Sequence, residues 1–390
     1  MIMNLPSILD TDLYKLTMQQ AILELYPSAR AEYRFFNRRP SDTFDEAFAE
    51  TLRRSIQYMP ALSLSGQEAT WLQQSCPFVK PAYIEYLRNY RYNPQEVEIW
   101  QESGQLHIHI KGSWHRTVMW EVPLMALISE LYFHNKNWDY NGQRERAQNK
   151  LAILESERCH FADFGTRRRR SADAQGLVVE EFCKNTKGFF VGTSNPYFAM
   201  KYKTKPIGTQ AHEWVQAHSV LGSLRHANLA AMDAWVKVYN AQLGIVLTDT
   251  YGLKSFLEDF GPFHARLWDG ARHDSGCPFK FTDQLVAHYQ GLKIDPATKT
   301  LIFSDNLNAD KAVEIKHYCD ELGIRCSFGI GTHFTNDFDG DLKPLNMVIK
   351  MWALNGIPVV KLSEDGGKAV GDKDALRVAR WTHYGTPLDA

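Results

Sequence analysis

Reactive side chains repeatedly follow short apolar segments in the second half of the chain. His212 does so in the motif Gly-Thr-Gln-Ala-His-Glu-Trp, and Asp249 and Asp274 do so further along. A histidine there can act as a general base or accept a phosphoryl group, and a neighbouring carboxylate can orient its ring. Carboxylates can also hold Mg²⁺ or stabilise a cationic sugar. Helix capping explains each aspartate singly, but it does not explain their recurrence at equivalent positions.

A basic run lies after another apolar segment. Asp163-Phe-Gly-Thr-Arg167 opens a series of four arginines that ends at Arg170. The forked donors of arginine fit phosphate or carboxylate groups. A solvated helix start or a local nucleic-acid patch explains the same run equally well.

Two later motifs suit a phosphate group. Ser304 and Asp305 follow one apolar segment, and Gly331 and Thr332 end the motif Phe-Gly-Ile-Gly-Thr after the next. Glycine lets backbone N–H groups approach an anion closely, and late loops of α/β barrels often hold phosphate in this way.

These motifs belong to a regular alternation that begins near residue 158. The apolar segments recur about every 20 to 35 residues, the scale of a βα unit, and helical patterns such as 223–239, 282–291 and 309–322 separate most of them. The predicted strands are 160–165, 189–194, 206–212, 244–250, 266–275, 300–306 and 326–332. Repeated βα units predict an α/β fold, and their number favours a barrel over an open sheet, with an active site at the strand carboxyl ends.

The chain ends have a different pattern. Near the N-terminus, helical patterns cover 10–25, 42–58, 66–74 and 123–134, and strand patterns cover 31–37, 97–100 and 106–111. Ser103-Gly104, between the last two strand patterns, predicts a hairpin. Asn355-Gly356 predicts a hairpin between 346–354 and 358–362. We expect this hairpin to pack with the N-terminal region. The predicted domains are therefore 1–130, a barrel over 131–345, and 346–390, with both chain ends forming a second α/β domain.

Composition excludes several classes of function. The 390 residues include 44 Lys and Arg against 45 Asp and Glu, so we expect neither nucleic acid nor a membrane as a partner. The six cysteines are scattered, no signal peptide is expected at residues 1–9, and no apolar run approaches a bilayer span. These features predict a cytoplasmic protein. P-loop, dinucleotide-binding, zinc and serine-hydrolase motifs are absent from the sequence. The residues alone predict a barrel enzyme for an anionic, phosphorylated, sugar-like ligand.

The ordered motifs closely resemble the nicotinate phosphoribosyltransferase family over nearly the whole chain. Any one of them can arise by chance, but the ordered set is highly specific. They are Leu9-Asp-Thr-Asp-Leu-Tyr14-Lys-Leu-Thr-Met18, Trp120-Glu-Val-Pro123-Leu, Asp163-Phe-Gly-Thr-Arg-Arg-Arg169, Val191-Gly-Thr-Ser-Asn195, Gly208-Thr-Gln-Ala-His-Glu-Trp214, Arg272-His-Asp-Ser-Gly276, Phe303-Ser-Asp-Asn306 and Phe328-Gly-Ile-Gly-Thr332.

The resemblance implies a specific reaction. Members of the family join nicotinate to 5-phosphoribosyl-1-diphosphate, which gives nicotinate mononucleotide and diphosphate, the first step of NAD salvage from nicotinate. The reaction is coupled to ATP hydrolysis through a phosphorylated histidine, which by resemblance is His212. The resemblance also implies an irregular (β/α) barrel with a second α/β domain built from both chain ends. It further implies Mg²⁺ as cofactor, ATP as co-substrate, and a homodimer with a shared active site.

The resemblance assigns roles to individual residues. Tyr14, from the partner subunit, and Phe164 would stack on the two faces of the pyridine ring. Arg167 would lie near the ring and the diphosphate, and Ser194 would select for a carboxylate. The residues implied for catalysis and for the phosphoribosyl group are Asp249, which would orient His212, Arg272 and Asp274 around ribose and diphosphate, and Ser304, Asp305, Gly331 and Thr332 around ribose and the 5-phosphate. No direct protein ligand for a metal is assigned.

The chain departs from the family pattern in a few places. Cys277 follows the Arg-His-Asp-Ser-Gly motif where the family usually has an aspartate, a change that could weaken the binding of Mg²⁺ or ribose. Arg170 extends the usual arginine run, and His333 follows the predicted phosphate loop. Neither receives a role.

Three alternatives stay open on the sequence. One is a related phosphoribosyltransferase that uses nicotinamide or quinolinate, although Ser194 argues against nicotinamide and the ordered motifs argue against quinolinate. A second is a nucleic-acid-binding module that uses Arg167–Arg170. A third is a lyase or aldolase that forms a Schiff base, for which Lys350 is the one candidate lysine.

Overall fold

A computed structural model describes residues 5–134, 136, 138–338, 342–363 and 369–386. The chain forms two compact units. The first combines Met1–Gly208 with Ile330–Lys350, and the second combines Thr209–Gly329 with Met351–Ala390. Each unit is therefore discontinuous in sequence. The domain boundaries predicted from the sequence stay a prediction.

The strands and helices alternate through most of the chain. The strands are β1 Arg30–Asn37, β2 Val97–Glu102, β3 Gln105–Ser113, β4 Phe161–Asp163, β5 Phe190–Thr193, β6 Ile245–Leu247, β7 Gly270–His273, β8 Thr300–Phe303, β9 Arg325–Ile330, β10 Met347–Leu354 and β11 Ile357–Pro358. The α-helices are α1 Leu13–Leu25, α2 Glu46–Ile56, α3 Gly66–Ser75, α4 Pro81–Asn89, α5 Trp114–Thr117, α6 Glu121–His134, α7 Gln143–Ser156, α8 Ala172–Asn185, α9 Pro196–Tyr202, α10 His212–Leu221, α11 Ala227–Tyr239, α12 Leu253–Asp259, α13 Pro262–Leu267, α14 Pro278–Gly291, α15 Ala309–Glu321, α16 Thr332–Thr335 and α17 Lys373–Tyr384.

An antiparallel sheet forms one part of the first unit. β3 pairs with β1 on one side and with β2 on the other. Ser103 and Gly104 connect β2 to β3 with φ values of 50° and 78°, the left-handed geometry that a tight hairpin turn requires. The predicted hairpin is therefore confirmed. Ser65 and Glu68 form a reciprocal capping box that fixes the start of α3.

A parallel pair, β4 and β5, forms the other part of the first unit. α8 begins at Ser171, whose side chain accepts a hydrogen bond from Ala174 N. Gly165, directly after β4, has to be a glycine because a Cβ there would lie 2.3 Å from the side chain of Thr335. This close approach brings the segment after β4 against α16.

The second unit contains a parallel sheet in which β6, β7, β8 and β9 pair in that order. Gly270 permits the β7–β8 contact, because a Cβ there would lie 1.7 Å from Thr300 O. Helices α12, α14 and α15 follow β6, β7 and β8, so the strand carboxyl ends all point to one edge. The predicted βα alternation is confirmed here.

Two predicted strands differ from the structure. In the segment 206–212, only Pro206 makes an isolated bridge, to Thr193, and His212 already begins α10. Proline has no N–H for a ladder hydrogen bond, which limits strand pairing there. Over 266–275, only Gly270–His273 is a strand, because α13 extends to Leu267.

The second predicted hairpin is confirmed. β10 pairs antiparallel with β11, and the connecting Asn355 and Gly356 have φ values of 51° and 79°. None of the helices within the described ranges combines the length and apolar character needed to cross a bilayer.

Candidate active site

Six of the predicted site residues lie in the second unit, on the edge formed by the strand carboxyl ends. His212 is the first residue of α10, Asp249 follows β6, Arg272 and Asp274 belong to β7 and its following loop, and Ser304 and Asp305 follow β8. We call His212, Asp249, Arg272, Asp274 and Ser304 the histidine cluster, because the hydrogen bonds and ion pairs described below connect these five residues.

His212 is held by a buried carboxylate. Its Nε2 lies 2.8 Å from Asp249 Oδ1 and 3.5 Å from Asp274 Oδ2. Burial alone would raise the pKa of Asp249, but the charges of His212 and Lys361 lower it well below its ordinary value. An ionised carboxylate only accepts hydrogen bonds, so Nε2 carries a proton, and when the ring is neutral its lone pair lies on Nδ1.

Asp249 has further partners on its other oxygen. Oδ2 accepts a hydrogen bond of 2.7 Å from Ser275 Oγ, and it lies 2.8 Å from Lys361 Nζ. These contacts account for both carboxylate oxygens. Asp249 is therefore fixed in orientation, and it can fix the ring of His212 in turn.

Arg272, Asp274 and Ser304 form the more accessible side of the histidine cluster. Arg272 Nη2 donates to Asp274 Oδ1 at 2.9 Å, and Arg272 Nε donates to Ser304 Oγ at 2.8 Å. Ser304 Oγ donates to Asp274 Oδ1 at 2.7 Å. Burial would raise the pKa of Asp274, but Arg272 and His212 lower it below its ordinary range. Asp305, half-buried, is the next residue.

The histidine cluster contains side chains that could bind Mg²⁺, and one of its carboxylates is the best placed. His212, Asp249 and Asp274 each offer a possible ligand atom, and these atoms lie within 4.8 Å of one another. Mg²⁺ prefers oxygen ligands and is usually held by one or two carboxylates together with phosphates and water. Asp249 is already fully engaged, whereas the side chain of Asp274 is 20% exposed. Asp274 is therefore the residue best suited to contact the ion.

The residues predicted to contact the base lie in the first unit. Ser194 Oγ donates to Asp12 Oδ1 at 2.6 Å, and Arg167 Nε lies 3.5 Å from Asp12 Oδ2. Burial raises the pKa of Asp12, and Arg167 and Ser194 oppose that shift. Tyr14 is buried, and its ring centroid lies 6.0 Å from the guanidinium of Arg167 in the same chain. The contribution of Tyr14 to a partner subunit stays a prediction.

The remaining predicted residues of the first unit adjoin one another. Phe164 N donates to Ile330 O at 2.9 Å, and a Cβ on Gly331 would lie 3.2 Å from Phe164 O. Thr332 begins α16. The structure thus brings the predicted stacking residue next to the predicted phosphate loop.

Comparison with known proteins reveals the same family along the chain. The family model described as the nicotinate phosphoribosyltransferase (NAPRTase) family matches residues 159–387, and the model of its N-terminal domain matches residues 9–129. The chain belongs to the nicotinate phosphoribosyltransferase family.

Individual members of this family are similar over their full length. The nicotinate phosphoribosyltransferase of Methanosarcina acetivorans is 48% identical over 396 residues, covering 96% of this chain and 97% of the relative. That of Methanococcoides burtonii is 49% identical over 403 residues, covering 98% of each. The crystal structure of nicotinate phosphoribosyltransferase from Porphyromonas gingivalis has a TM-score of 0.94 at 38% identity, covering 97% of this chain and 99% of that one. The predicted family and α/β fold are confirmed.

A network that the sequence did not indicate lies beside the family motif Asp163–Arg169. Arg169 is fully buried and binds both oxygens of Asp10 at 2.7 Å, and its Nε donates to Glu130 at 2.8 Å. Asn195 Nδ2 donates to Asp10 at 2.7 Å. Asp163 accepts hydrogen bonds from the side chains of Gln175 and Thr193. Gln175 also contacts Arg169, because Arg169 Nη1 donates to Gln175 Oε1 at 3.1 Å. We call these six residues the arginine network: Asp10, Glu130, Asp163, Arg169, Gln175 and Asn195.

The burial of two arginines removes one alternative explanation of the basic run. Arg169 and Arg170 are both fully buried. The guanidinium of Arg170 lies 4.0 Å from the ring centroid of Phe133 and 4.7 Å from that of Phe338, and burial lowers its pKa to about 10. A nucleic-acid surface needs these charges at the exterior. The interpretation of Arg167–Arg170 as an exposed basic patch is therefore wrong for half of the run.

The positions that departed from the family pattern have plain structural settings. Cys277 is exposed and precedes the first residue of α14. His333 O accepts a hydrogen bond from Lys150 Nζ, which also binds Asp337. This contact links α7 to α16, the helix that directly follows Gly331. No linear signal indicated Lys150 or Lys361.

Proposed function

We propose that this protein synthesises nicotinate mononucleotide and diphosphate from nicotinate and 5-phosphoribosyl-1-diphosphate, coupled to ATP hydrolysis through phosphorylated His212. Membership of the family and the names of its closely similar relatives support the overall reaction. The observation that carries the histidine step is the 2.8 Å contact between His212 Nε2 and the buried Asp249. The reaction is the first step of NAD salvage from nicotinate.

The geometry favours Nδ1 of His212 as the phosphoryl acceptor. Nε2–H donates a hydrogen bond to Asp249, so in the neutral ring the nucleophilic lone pair lies on Nδ1. A bond forms between Nδ1 and the γ-phosphorus of ATP while the bond from that phosphorus to the β-bridging oxygen breaks, releasing ADP. The ring gains positive character as it bonds, and Asp249 stabilises that charge. Water later cleaves the P–N bond and yields phosphate.

Phosphoribosyl transfer requires charge stabilisation on both sides of the bond that breaks. The ring nitrogen of nicotinate bonds to C1 of ribose as the C1–O bond to diphosphate breaks, which gives C1 oxocarbenium character. The carboxylate of Asp274 is suited to stabilise the positive sugar, and the guanidinium of Arg272 is suited to hold ribose or diphosphate oxygens. Bound Mg²⁺ would neutralise charge on the departing diphosphate, and Asp274 would contact it.

Base selection is assigned to Ser194 and Arg167. Arg167 has a side chain that is 31% exposed, and its forked donors can hold a carboxylate. Ser194 adds no charge that would repel nicotinate. The positive charge of Arg167 and the neutral side chain of Ser194 support nicotinate over nicotinamide as the substrate. Phosphoribosyltransferase activity with nicotinamide or with quinolinate is the alternative to test.

The first experiment measures turnover with nicotinate, nicotinamide and quinolinate separately, each with 5-phosphoribosyl-1-diphosphate and with or without Mg-ATP. We expect nicotinate mononucleotide from nicotinate, at a rate that rises with Mg-ATP. Faster use of either other base would contradict the assignment of substrate.

The second experiment tests the histidine step. ATP labelled at the γ-phosphate should give an acid-labile, base-stable label on the protein, and His212→Ala should abolish both that label and the stimulation by ATP. Slow ATP-independent synthesis should survive, because the arginine and carboxylate contacts remain. His226→Gln is the matched control, because this histidine is exposed and pairs with Asp259, which is not a member of the histidine cluster. A label that persists in His212→Ala would contradict the assignment.

We also propose a cytoplasmic homodimer in which the two subunits share an active site. Tyr14, at the second position of α1, is the residue that the resemblance assigns to the neighbouring subunit. Sedimentation at several protein concentrations tests the dimer. Mixing Tyr14→Ala chains with Arg272→Ala chains tests the sharing, because a shared site predicts partial recovery of turnover in the mixture.

A further inference from the structure

Residues from the C-terminal part of the second unit contact three consecutive residues of the loop after β6: Asp249, Thr250 and Tyr251. Lys361 Nζ lies 2.8 Å from Asp249 Oδ2, and Leu362 N donates to the carbonyl oxygen of Thr250 at 2.8 Å. The hydroxyl of Tyr384 donates to the carbonyl oxygen of Tyr251 at 3.0 Å. One segment therefore fixes the backbone of this loop and supplies a cation to its carboxylate.

Lys361 is a buried ammonium with a specific task. Its side chain is 8% exposed, and that of Asp249 is 3% exposed. A buried carboxylate that lacks a compensating cation is strongly unfavourable. His212 does not supply that charge while its ring is neutral, and Ser275 contributes only a neutral hydroxyl. Lys361 therefore keeps a positive charge in direct contact with Asp249 when the ring of His212 is neutral.

We propose that Lys361 is a positioning residue for the phosphohistidine step. Lys361 and Ser275 hold Oδ2 of Asp249, so that Oδ1 faces Nε2–H of His212 and the ring presents Nδ1 as the nucleophile. Lys361 acts through Asp249, whose Oδ2 lies 2.8 Å from its Nζ. This role rests on the proposed function insofar as it concerns ATP, but the orientation of the ring is a property of the free protein.

A second buried lysine in the same unit provides a matched control. Lys299 is also buried, and its Nζ donates to the carbonyl oxygens of Arg266 at 3.0 Å and Trp268 at 2.6 Å. It compensates no carboxylate of the histidine cluster. Lys299→Met therefore measures the general effect of removing a buried amine, without changing the partners of Asp249.

The kinetic test compares Lys361→Met, Lys361→Arg and Lys299→Met with the unchanged protein. The readouts are the single-turnover rate of acid-labile labelling from γ-labelled ATP and the rate of ATP-independent nucleotide synthesis. We expect Lys361→Met to slow labelling by about 100-fold, the scale for losing one preorganising electrostatic contact, and to change ATP-independent synthesis by less than about threefold. Lys361→Arg should recover most of the labelling rate, because it retains the charge. Lys299→Met should label normally.

A spectroscopic test separates this inference from the proposed function. Nitrogen-15 NMR of histidine-labelled protein reports which ring nitrogen of His212 carries the proton, and His212→Gln identifies the signal. We expect the Nε2–H form in the unchanged protein and a mixture of both tautomers in Lys361→Met. If the unchanged protein takes no label but the tautomer shifts in Lys361→Met, ATP coupling fails and the positioning role stands. An unchanged tautomer, or labelling at the normal rate in folded Lys361→Met, would overturn the inference. Equal losses of labelling and ATP-independent synthesis would overturn it as well.

Discussion

The arginine network of the first unit and the histidine cluster of the second unit both include residues at the ends of parallel strands, and both pair carboxylates with cations. In the arginine network, Arg169 is fully buried and binds Asp10, Glu130 and Gln175. In the histidine cluster, Asp274 is 20% exposed and Arg272 is 14% exposed. A closed network with every strong group engaged stabilises a fold, whereas a partly open one can exchange its internal contacts for contacts to a ligand.

The two regions also differ in how their surroundings shift the pKa of a buried carboxyl group. Burial raises the pKa of Asp163 to about 6, against the opposing hydrogen bonds of Gln175 and Thr193. In the histidine cluster, burial acts in the same direction on Asp249, but His212 and Lys361 reverse it. The histidine cluster therefore retains an ionised carboxylate next to a nucleophile. This is the arrangement that chemistry on a histidine needs.

The difference between a structural and a functional region is tested most strongly by substituting two arginines that are two residues apart, Arg169 and Arg167. Arg169→Met should lower the free energy of unfolding by about 3–5 kcal/mol, because it leaves Asp10 and Glu130 buried without their cation. Arg167→Ala should unfold close to normally, but its turnover of nicotinate should fall by about 100- to 1000-fold. Urea unfolding and steady-state kinetics measure the two effects.

Asp12 explains why Arg167 should be dispensable for folding. Burial already raises the pKa of Asp12, so this carboxyl can take up a proton when Arg167 is removed. If Arg167→Ala were as unstable as Arg169→Met, Arg167 would belong to the structural network. Normal turnover in folded Arg167→Ala would remove Arg167 from the active site.

The sequence predicted the order of strands and helices better than it predicted the burial of charges. Gly-containing turns and apolar segments carry local signals, so the hairpins at Ser103-Gly104 and Asn355-Gly356 were predictable. The segment 206–212 misled because its apolar content resembles a strand, although its pairing is limited to one bridge at Pro206. Pairing depends on a neighbouring strand, which local composition does not reveal.

Individual site residues show the same limit. His212, Asp249 and Asp274 were predictable as a group because parallel strand ends meet at one edge. Lys361 was not, because its partner Asp249 lies far away in sequence and a lysine is expected at the surface. The burial of Arg169 likewise depends on Asp10 and a glutamate from α6, and such long-range charge pairs leave no periodic pattern.

Helix α10 contains a histidine with a proposed chemical role, His212, and a buried histidine with a structural role, His218. His218 is buried, its Nδ1 lies 2.6 Å from Trp214 O, and burial lowers its pKa to about 4. Its ordinary value near 6.5 applies in the unfolded chain. Between these two values the unfolded state binds a proton that the folded state excludes. His218 therefore lowers the free energy of unfolding as pH falls from 6.5 to 4, by roughly 3 kcal/mol.

Urea unfolding at pH 7, 6 and 5 measures this contribution. His218→Phe should flatten the fall in the free energy of unfolding over that range, because phenylalanine takes up no proton. His383 has a pKa that is also lowered to about 4 by burial, so the remaining slope stays positive with pH. Equal slopes in the two proteins would show that His218 takes up its proton at the same pH in the folded and unfolded states, which contradicts the lowered pKa.

The smallest predicted effect concerns the choice of base. Ser194→Asp should lower the preference for nicotinate over nicotinamide by about tenfold, since a missing or opposed polar contact is worth about 1–2 kcal/mol. The structure adds a reason for a modest change: Ser194 Oγ lies 2.6 Å from Asp12 Oδ1. A carboxyl group introduced at position 194 would adjoin the buried Asp12, and two adjacent buried carboxyl groups tend to share one proton. Only part of the new charge would therefore oppose the substrate. Ser194→Asn controls for size without charge. The measurement is the ratio of kcat/KM for nicotinate to kcat/KM for nicotinamide in both variants. An equal change of this ratio in Ser194→Asp and Ser194→Asn would assign the effect to side-chain shape. An unchanged ratio in both variants would exclude Ser194 from the base pocket.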